Sequence, residues 1–263
     1  MLLALDVGNT QTVVGLFDPD TGGGLADLRH HWRVATNRER TADEHALLVS
    51  QLLDLVGLDI DDVVTGIVVS STVPSLTAAL RDMASRWFEV PVVVLEPGVR
   101  SGMPILYNNP REVGADRIAN AVAAFDLFGG PGIVVDFGTA TTFDVISELG
   151  EYLGGAIVPG IEISMNALFA EAAALSRVEL VEPRSVIGKS TVESVQSGAI
   201  FGYSGMVDGL CRRMQDELGP ASIVATGGLA GLIAPYSSYI GQLEPWLTLH
   251  GLRLIYERNV EVA

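Results

Sequence analysis

Asp6-Val7-Gly8-Asn9-Thr10 sits between two short apolar runs, residues 2–5 and 12–17. A glycine between two strands lets backbone N–H groups approach a phosphate, and Asn and Thr add side-chain donors. The carboxylate can hold a hard cation, directly or through water, and the cation would offset phosphate charge. One Asp-x-Gly is equally an ordinary hairpin tip. The chain carries a second, however: Asp136-Phe137-Gly138-Thr139 follows Val134-Val135, 130 positions after the first. Two strand-borne loops of one design can face each other and grip a polyphosphate from both sides. Thr226-Gly227-Gly228, after another apolar run, is a third candidate. A Gly-Gly at a strand-to-helix junction lets a nucleotide lie against backbone and helix N–H groups.

A different chemistry is open to Asp116. It lies in Val113-Gly114-Ala115-Asp116-Arg117, shares a helix face with Asn120, and is surrounded by Ala115, Ile118, Ala119, Val122 and Ala123. An acid there is either paired structurally, for example with Arg117 of a neighbouring copy, or kept as a general base. Gly188-Lys189-Ser190 invites a P-loop interpretation, but that motif needs a glycine six residues before the lysine, where this chain has Pro183. Lys189 is the only lysine, and the other 15 basic residues are arginines.

The elements that must position these residues alternate. The runs around Asp6 predict a β-hairpin. Residues 18–24 form a loose turn, and residues 28–35 a third strand. Thr41-Ala42-Asp43-Glu44 has capping-box spacing and opens a helix to about Val56. Residues 63–69 read as a strand, 74–88 as a helix and 90–95 as a strand. A loop-like stretch, 96–109, precedes a helix expected from Pro110 to Phe128. Strands follow over 133–146; after them come the stretch Gly154 to Gly160, left without an assigned element, a helix from Glu162 to about Leu175, and a long helix from Glu193 to Leu218. Gly198, Gly202, Gly205 and Gly209 in that helix are expected to serve close helix packing. Residues 222–225 are a strand leading into Gly227-Gly228. Strands alternating with helices argue for an α/β architecture. The repeat argues for two related lobes, 1–128 and 129–263, the first including the helix that bears Asp116.

Composition bounds the function. The 263 residues suffice for one large domain or two small ones. Only 18% are charged against 48% apolar, which predicts that part of the outer surface is buried by a partner. The net charge of −16 argues against nucleic acid and against an anionic membrane surface. One cysteine, Cys211, excludes an internal disulfide and a Cys-based zinc site, and the four histidines lack metal-motif spacing. Nothing at the N-terminus reads as a signal peptide. The uncharged stretch 218–243 is broken by Gly227-Gly228 and Pro235 and reads as core. The chain is expected in the cytoplasm. With so few cations, an anionic ligand would have to be held by backbone amides and metal ions.

Taken together, the duplicated Asp-x-Gly loops and the Gly-Gly resemble the superfamily of sugar kinases, Hsp70 and actin. More narrowly, several motifs in one order resemble type III pantothenate kinase. They are residues 6–10, Tyr107-Asn108-Asn109-Pro110, Gly114-Ala115-Asp116-Arg117 and residues 136–142, then Gly154-Gly155, Pro159-Gly160, residues 188–191, Gln196-Ser197-Gly198 and Thr226-Gly227-Gly228. The resemblance spans essentially the whole chain. It implies a duplicated ribonuclease H-like, actin-like fold with a nucleotide cleft between two lobes, and an enzyme that phosphorylates pantothenate with ATP. Asp116 would be the catalytic base. Tyr107, Gly114, Ala115, Asp116, Arg117 and Thr191 would bind pantothenate. Asp6, Val7, Gly8, Asn9, Thr10, Gln11, Thr12, Val13 and Thr139 would bind ATP. Asp136 would bind a monovalent cation, K⁺ or NH₄⁺, and Asp6 would meet Mg²⁺, directly or through water. The family is homodimeric, with the Asp116 helix at the interface. The glycine-rich loop 20–24 has no assignable role. A non-catalytic, actin-fold regulator resembling Bvg accessory factor is the alternative; Asp6, Asp116 and Asp136 together favour the kinase.

Overall fold

The computed structural model describes residues 1–18, 24–172 and 174–260. Most of the loop 20–24 therefore lies outside the described residues. In chain order the first elements are β1 (Leu2–Val7), β2 (Gln11–Phe17), β3 (Leu28–Ala35), α1 (Ala42–Asp54), α2 (Ile60–Val63), β4 (Gly66–Ser71), α3 (Pro74–Trp87), β5 (Val92–Val94) and α4 (Ala115–Phe128). Then come β6 (Gly132–Phe137), β7 (Ala140–Ile146), β8 (Tyr152–Pro159), α5 (Ile161–Glu171), α6 (Thr191–Leu218), β9 (Ser222–Thr226), α7 (Ala230–Ile233), β10 (Gln242–Leu243) and α8 (Leu247–Val260).

The chain divides into two compact units. One comprises the described residues of Met1–Ala123 and Leu247–Ala263, the other those of Ala124–Trp246. Each is built on a five-stranded sheet, ordered β3-β2-β1-β4-β5 in the first and β10-β9-β6-β7-β8 in the second. The two sheets have one topology. A central strand (β1 or β6) pairs antiparallel with the next strand, which pairs antiparallel with a third. On its other side the central strand pairs parallel with β4 or β9. The repeat seen in the motifs is thus a repeat of a whole sheet, a duplicated α/β unit.

The central strands are covered on both faces, so Leu-Leu-Ala-Leu and Gly-Ile-Val-Val read as continuous apolar runs rather than alternating ones. β3, at a sheet edge, alternates between half-buried and exposed residues. The capping box of α1 forms as expected: the Thr41 N–H donates to Glu44 Oε2 at 2.7 Å, and the Glu44 N–H donates to Thr41 Oγ1 at 3.3 Å. The first core gathers Leu3, Leu5, Val14, Leu16, Leu53, Ile67, Leu76 and Met83; the second gathers Ile133, Val135, Phe143, Ile200, Val207 and Ile223.

Three expectations change. The helix expected from Pro110 starts at Ala115. Residues 110–112 form a separate 3-10 turn because Asn109 Oδ1 accepts the Arg111 N–H at 3.3 Å and Val113 is extended. The last helix, α8, was not anticipated, and it belongs to the first unit rather than to a lobe spanning 129–263. Its apolar residues cover β1, β2 and β4, with Leu249 against Gly15 and Tyr256 against Gly66. The division between units falls inside α4, not after Phe128. Gly198, Gly202 and Gly205 of α6 are exposed, and a Cβ at each would meet no atom within 4 Å among the described residues of this chain.

Candidate active site

In the first unit, β1 delivers Asp6 to the carboxyl end of the sheet, where it is partly exposed beside buried Leu5 and Val7. The following turn puts Asn9 and Thr10 at an exposed tip, closed by the Gly8 N–H donating to Gln11 O at 3.0 Å. Three neighbours fix it. Thr36 Oγ1 donates to Gly8 O at 2.8 Å and lies 2.9 Å from Thr12 Oγ1. Thr72 donates its N–H (3.0 Å) to Val7 O and takes a bond from Asn9 Nδ2 at 3.4 Å. Arg38 Nη2 donates to Asn9 Oδ1 at 2.9 Å. Ser70, the register mate of Asp6 on β4, is fully buried, and its hydroxyl has no partner among the described residues.

The second unit repeats the design with one residue less. Asp136 is partly exposed at the same place on β6, and Gly138 and Thr139 form an exposed tip closed by the Gly138 N–H donating to Ala140 O at 3.0 Å. Asp136 stands opposite Thr142, and on its other side opposite Thr226. Here Gly227 is required: its φ is +92°, and a Cβ would lie 2.5 Å from Asp136 Oδ1 and 2.7 Å from the Phe137 backbone. A Cβ on Gly138 would lie 3.6 Å from the same Asp136 oxygen. Two glycines therefore leave open a cradle beside that carboxylate. Val13, Gln11 and Val7 serve the first loop as strand residues; only Gln11 of the three is exposed.

Asp116 is the second residue of α4, with Gly114 preceding the helix and its carbonyl accepting the Ile118 N–H at 3.1 Å. Its Oδ1 accepts the Arg117 backbone N–H at 2.9 Å. The carboxyl keeps some surface exposure, but the protein mass around it pushes its pKa above the ordinary carboxylate range, against the lowering effect of that N–H bond and of the Arg117 charge. Gly114 clears the space: a Cβ there would sit 2.5 Å from Asp116 Oδ1. Asn120, on the same face, is buried and accepts from Thr248 Oγ1 of α8 at 2.7 Å. The alanine face of this helix, expected to meet a second subunit, is partly filled by the chain itself, because Gly251 of α8 lies against the Ala119 backbone.

Ala115 also lines a cavity of about 790 Å³ in the first unit, with Ser71, Thr72, Glu96, Ser101, Arg111 and Ile118 among its walls. Ser101 is held in place by α8, whose Arg258 Nη1 donates to Ser101 O and whose Asn259 Nδ2 donates to Arg100 O at 3.0 Å. Tyr107 is exposed, and Arg117 is buried. Thr191 belongs to the second unit, where it opens α6 and lines a separate cavity of about 820 Å³ with Lys189, Ser190, Met165 and Leu168. Within the first unit the structure brings Asp6, Asn9 and Thr10 together with Thr36, Arg38 and Thr72, none of which carried a motif signal. Their roles come from strand pairing, which no local spacing encodes.

The family profile of type III pantothenate kinase matches residues 2–213. A Streptomyces griseus protein named type III pantothenate kinase is 54% identical, covering 100% of both chains. One of the same name from Moorella thermoacetica is 55% identical over 98% of this chain and 100% of its own. The crystal structure of a Baf family protein from Campylobacter jejuni superposes with a TM-score of 0.62 at 20% identity, covering 98% of this chain and 99% of that one. That likeness, with one to a glucomannokinase from Arthrobacter (TM-score 0.50, 15% identity, 100% of this chain and 99% of that one), bears on the fold alone: a duplicated α/β fold of the actin-like kind that sugar kinases share. Profile, full-length identity and the duplicated sheet agree that this chain belongs to the type III pantothenate kinase family.

Proposed function

We propose that this chain transfers the γ-phosphoryl group of ATP to the 4′-hydroxyl of pantothenate, giving 4′-phosphopantothenate and ADP, the first step towards coenzyme A. Asp116 takes the hydroxyl proton while the oxygen forms its bond to the γ-phosphorus and the bond to the ADP oxygen breaks. Phosphoryl transfer asks the protein chiefly for position and charge stabilisation. A carboxylate with a raised pKa is a better base for a neutral alcohol than an ordinary one. The observation that carries this reading is Asp116 itself, raised by its surroundings and standing in space that Gly114 leaves open. Tyr107, Gly114, Ala115, Arg117 and Thr191 form the pantothenate site; residues 6–13 and Thr139 form the ATP site.

A monovalent cation, K⁺ or NH₄⁺, suits the cradle that Gly227 and Gly138 leave beside Asp136 Oδ1, where the donors are oxygens. Mg²⁺ suits Asp6: among the described residues no three acidic, His or Cys side chains cluster, and Mg²⁺ is commonly held by one or two carboxylates plus substrate phosphates. When bound, these ions neutralise phosphate charge. A homodimer accounts for the low charge fraction, for Leu153 and Ile157 exposed on β8, and for the exposed glycines of α6. No described helix is long and apolar enough to cross a membrane, and a cytoplasmic location fits the proposed reaction. The test is ATP turnover with and without pantothenate, in K⁺ and then in Na⁺. Pantothenate-dependent, K⁺-stimulated turnover is expected; ATP hydrolysis at one rate with and without pantothenate refutes the assignment.

A further inference from the structure

We infer that Arg38 is a further residue of the nucleotide site, and that its guanidinium supplies positive charge to the phosphates at the tip of the Asp6–Thr10 loop. This rests on the proposed ATP site.

The tip of that loop is exposed at Asn9, Thr10 and Gln11. Arg38 reaches it from the segment after β3, 29 positions away in sequence, and donates from Nη2 to Asn9 Oδ1 at 2.9 Å. A guanidinium offers five N–H donors, and this bond uses one. Arg38 forms no ion pair among the described residues, although acids outnumber bases 32 to 16 in the chain. Arg29, Arg81, Arg86 and Arg253 behave otherwise: each pairs with a carboxylate. The neighbour that Arg38 does have is a neutral amide, whose other end donates to Thr72 Oγ1. Asn9 is clamped from both sides and orients the arginine without cancelling its charge.

In a protein of net charge −16, an anion entering this loop meets a repulsive background field. An uncompensated arginine at the loop tip offsets that field where the phosphates arrive, and charge-assisted bonds to phosphate are about twice as strong as neutral ones. Backbone amides and metal ions were expected to hold the anion; Arg38 adds a cation from the chain itself.

The experiment is a binding titration of the full chain with ATP, ADP and adenosine, in the absence of pantothenate, for the wild type, Arg38→Gln and Arg38→Glu. Glutamine keeps a donor for Asn9 and removes the charge; glutamate reverses the charge. Arg38 is exposed, and melting curves check that both variants fold. The expected result is ATP affinity falling about tenfold in Arg38→Gln, and further in Arg38→Glu, with adenosine affinity unchanged. Unchanged ATP affinity overturns the inference. So does an equal loss for ATP and adenosine, which would assign Arg38 to loop structure alone. Since no acceptor is present, the outcome is independent of whether pantothenate is the substrate. Wild-type chain that binds ATP but does not phosphorylate pantothenate would refute the function and leave Arg38 standing.

Discussion

Gly114→Ala should disable the enzyme while leaving it folded. The added Cβ would lie 2.5 Å from Asp116 Oδ1, whereas ordinary contact begins near 3.4 Å, so the carboxylate must retreat by about 0.9 Å. The movable partner is a side chain rather than backbone, and the Gly114 backbone is not in the left-handed region. The stability cost is then the Asp116–Arg117 N–H bond, about 0.5–1.5 kcal/mol, with a smaller cost for alanine at a helix N-cap. Catalysis loses more, since a misplacement of about 1 Å at a reacting group can cost on the order of 100-fold. That is about 2.7 kcal/mol of barrier. Asp116→Asn, which removes the base, should lose roughly 10²–10⁴. The assay is steady-state turnover with pantothenate and ATP varied separately, beside a thermal melt. Expected are a fall in kcat of about 100-fold, a KM for ATP within about threefold of wild type, and a melting point a few degrees lower. A kcat within threefold of wild type would refute the positioning of Asp116 by Gly114.

Because the Asp116 pKa is raised, its base form is lost as pH falls through a value above the ordinary carboxylate range, so the acid limb of kcat should lie at higher pH than a surface aspartate would give. For folding the sign is opposite: ionising Asp116 disfavours the folded state at neutral pH, so Asp116→Asn should be no less stable than wild type in a pH 7 melt. Gly227→Ala should behave unlike Gly114→Ala, because its Cβ would strike the Phe137 backbone at 2.7 Å at a φ of +92°. It should lose about 2–4 kcal/mol in denaturant titration, together with the K⁺ stimulation of turnover. Burial of His45 lowers its pKa to about 4, and its Nε2 has no partner among the described residues. The unfolded state therefore binds the extra proton: stability is full above pH ~6.5 and should fall by up to about 3 kcal/mol towards pH 4. His45→Leu should flatten that slope; an unchanged slope would show that other groups carry it.

Local chemistry in the sequence determined a good deal. Thr41 and Glu44 could only cap a helix, the two Asp-x-Gly hairpins announced a duplicated unit, and the order of motifs pointed to the kinase family. These are legible because strands, caps and turns are encoded within a few residues. The chain was silent on whatever depends on residues far apart. That Pro110 begins a separate turn was decided by the Asn109 side chain, which leaves Asp116 in the first turn of its helix. That Asn9 meets Arg38 and Thr72 was decided by strand order, which brings β3 and β4 to the two sides of one hairpin. That α8 closes the first unit was decided by burial of apolar surface on β1 and β4, a force without direction or sequence range. The spacing of Gly198, Gly202 and Gly205 suits close packing, and only the tertiary structure shows that these glycines are exposed, away from the described residues of their own chain. Residue types named the chemistry, and long-range packing decided which atoms would carry it out.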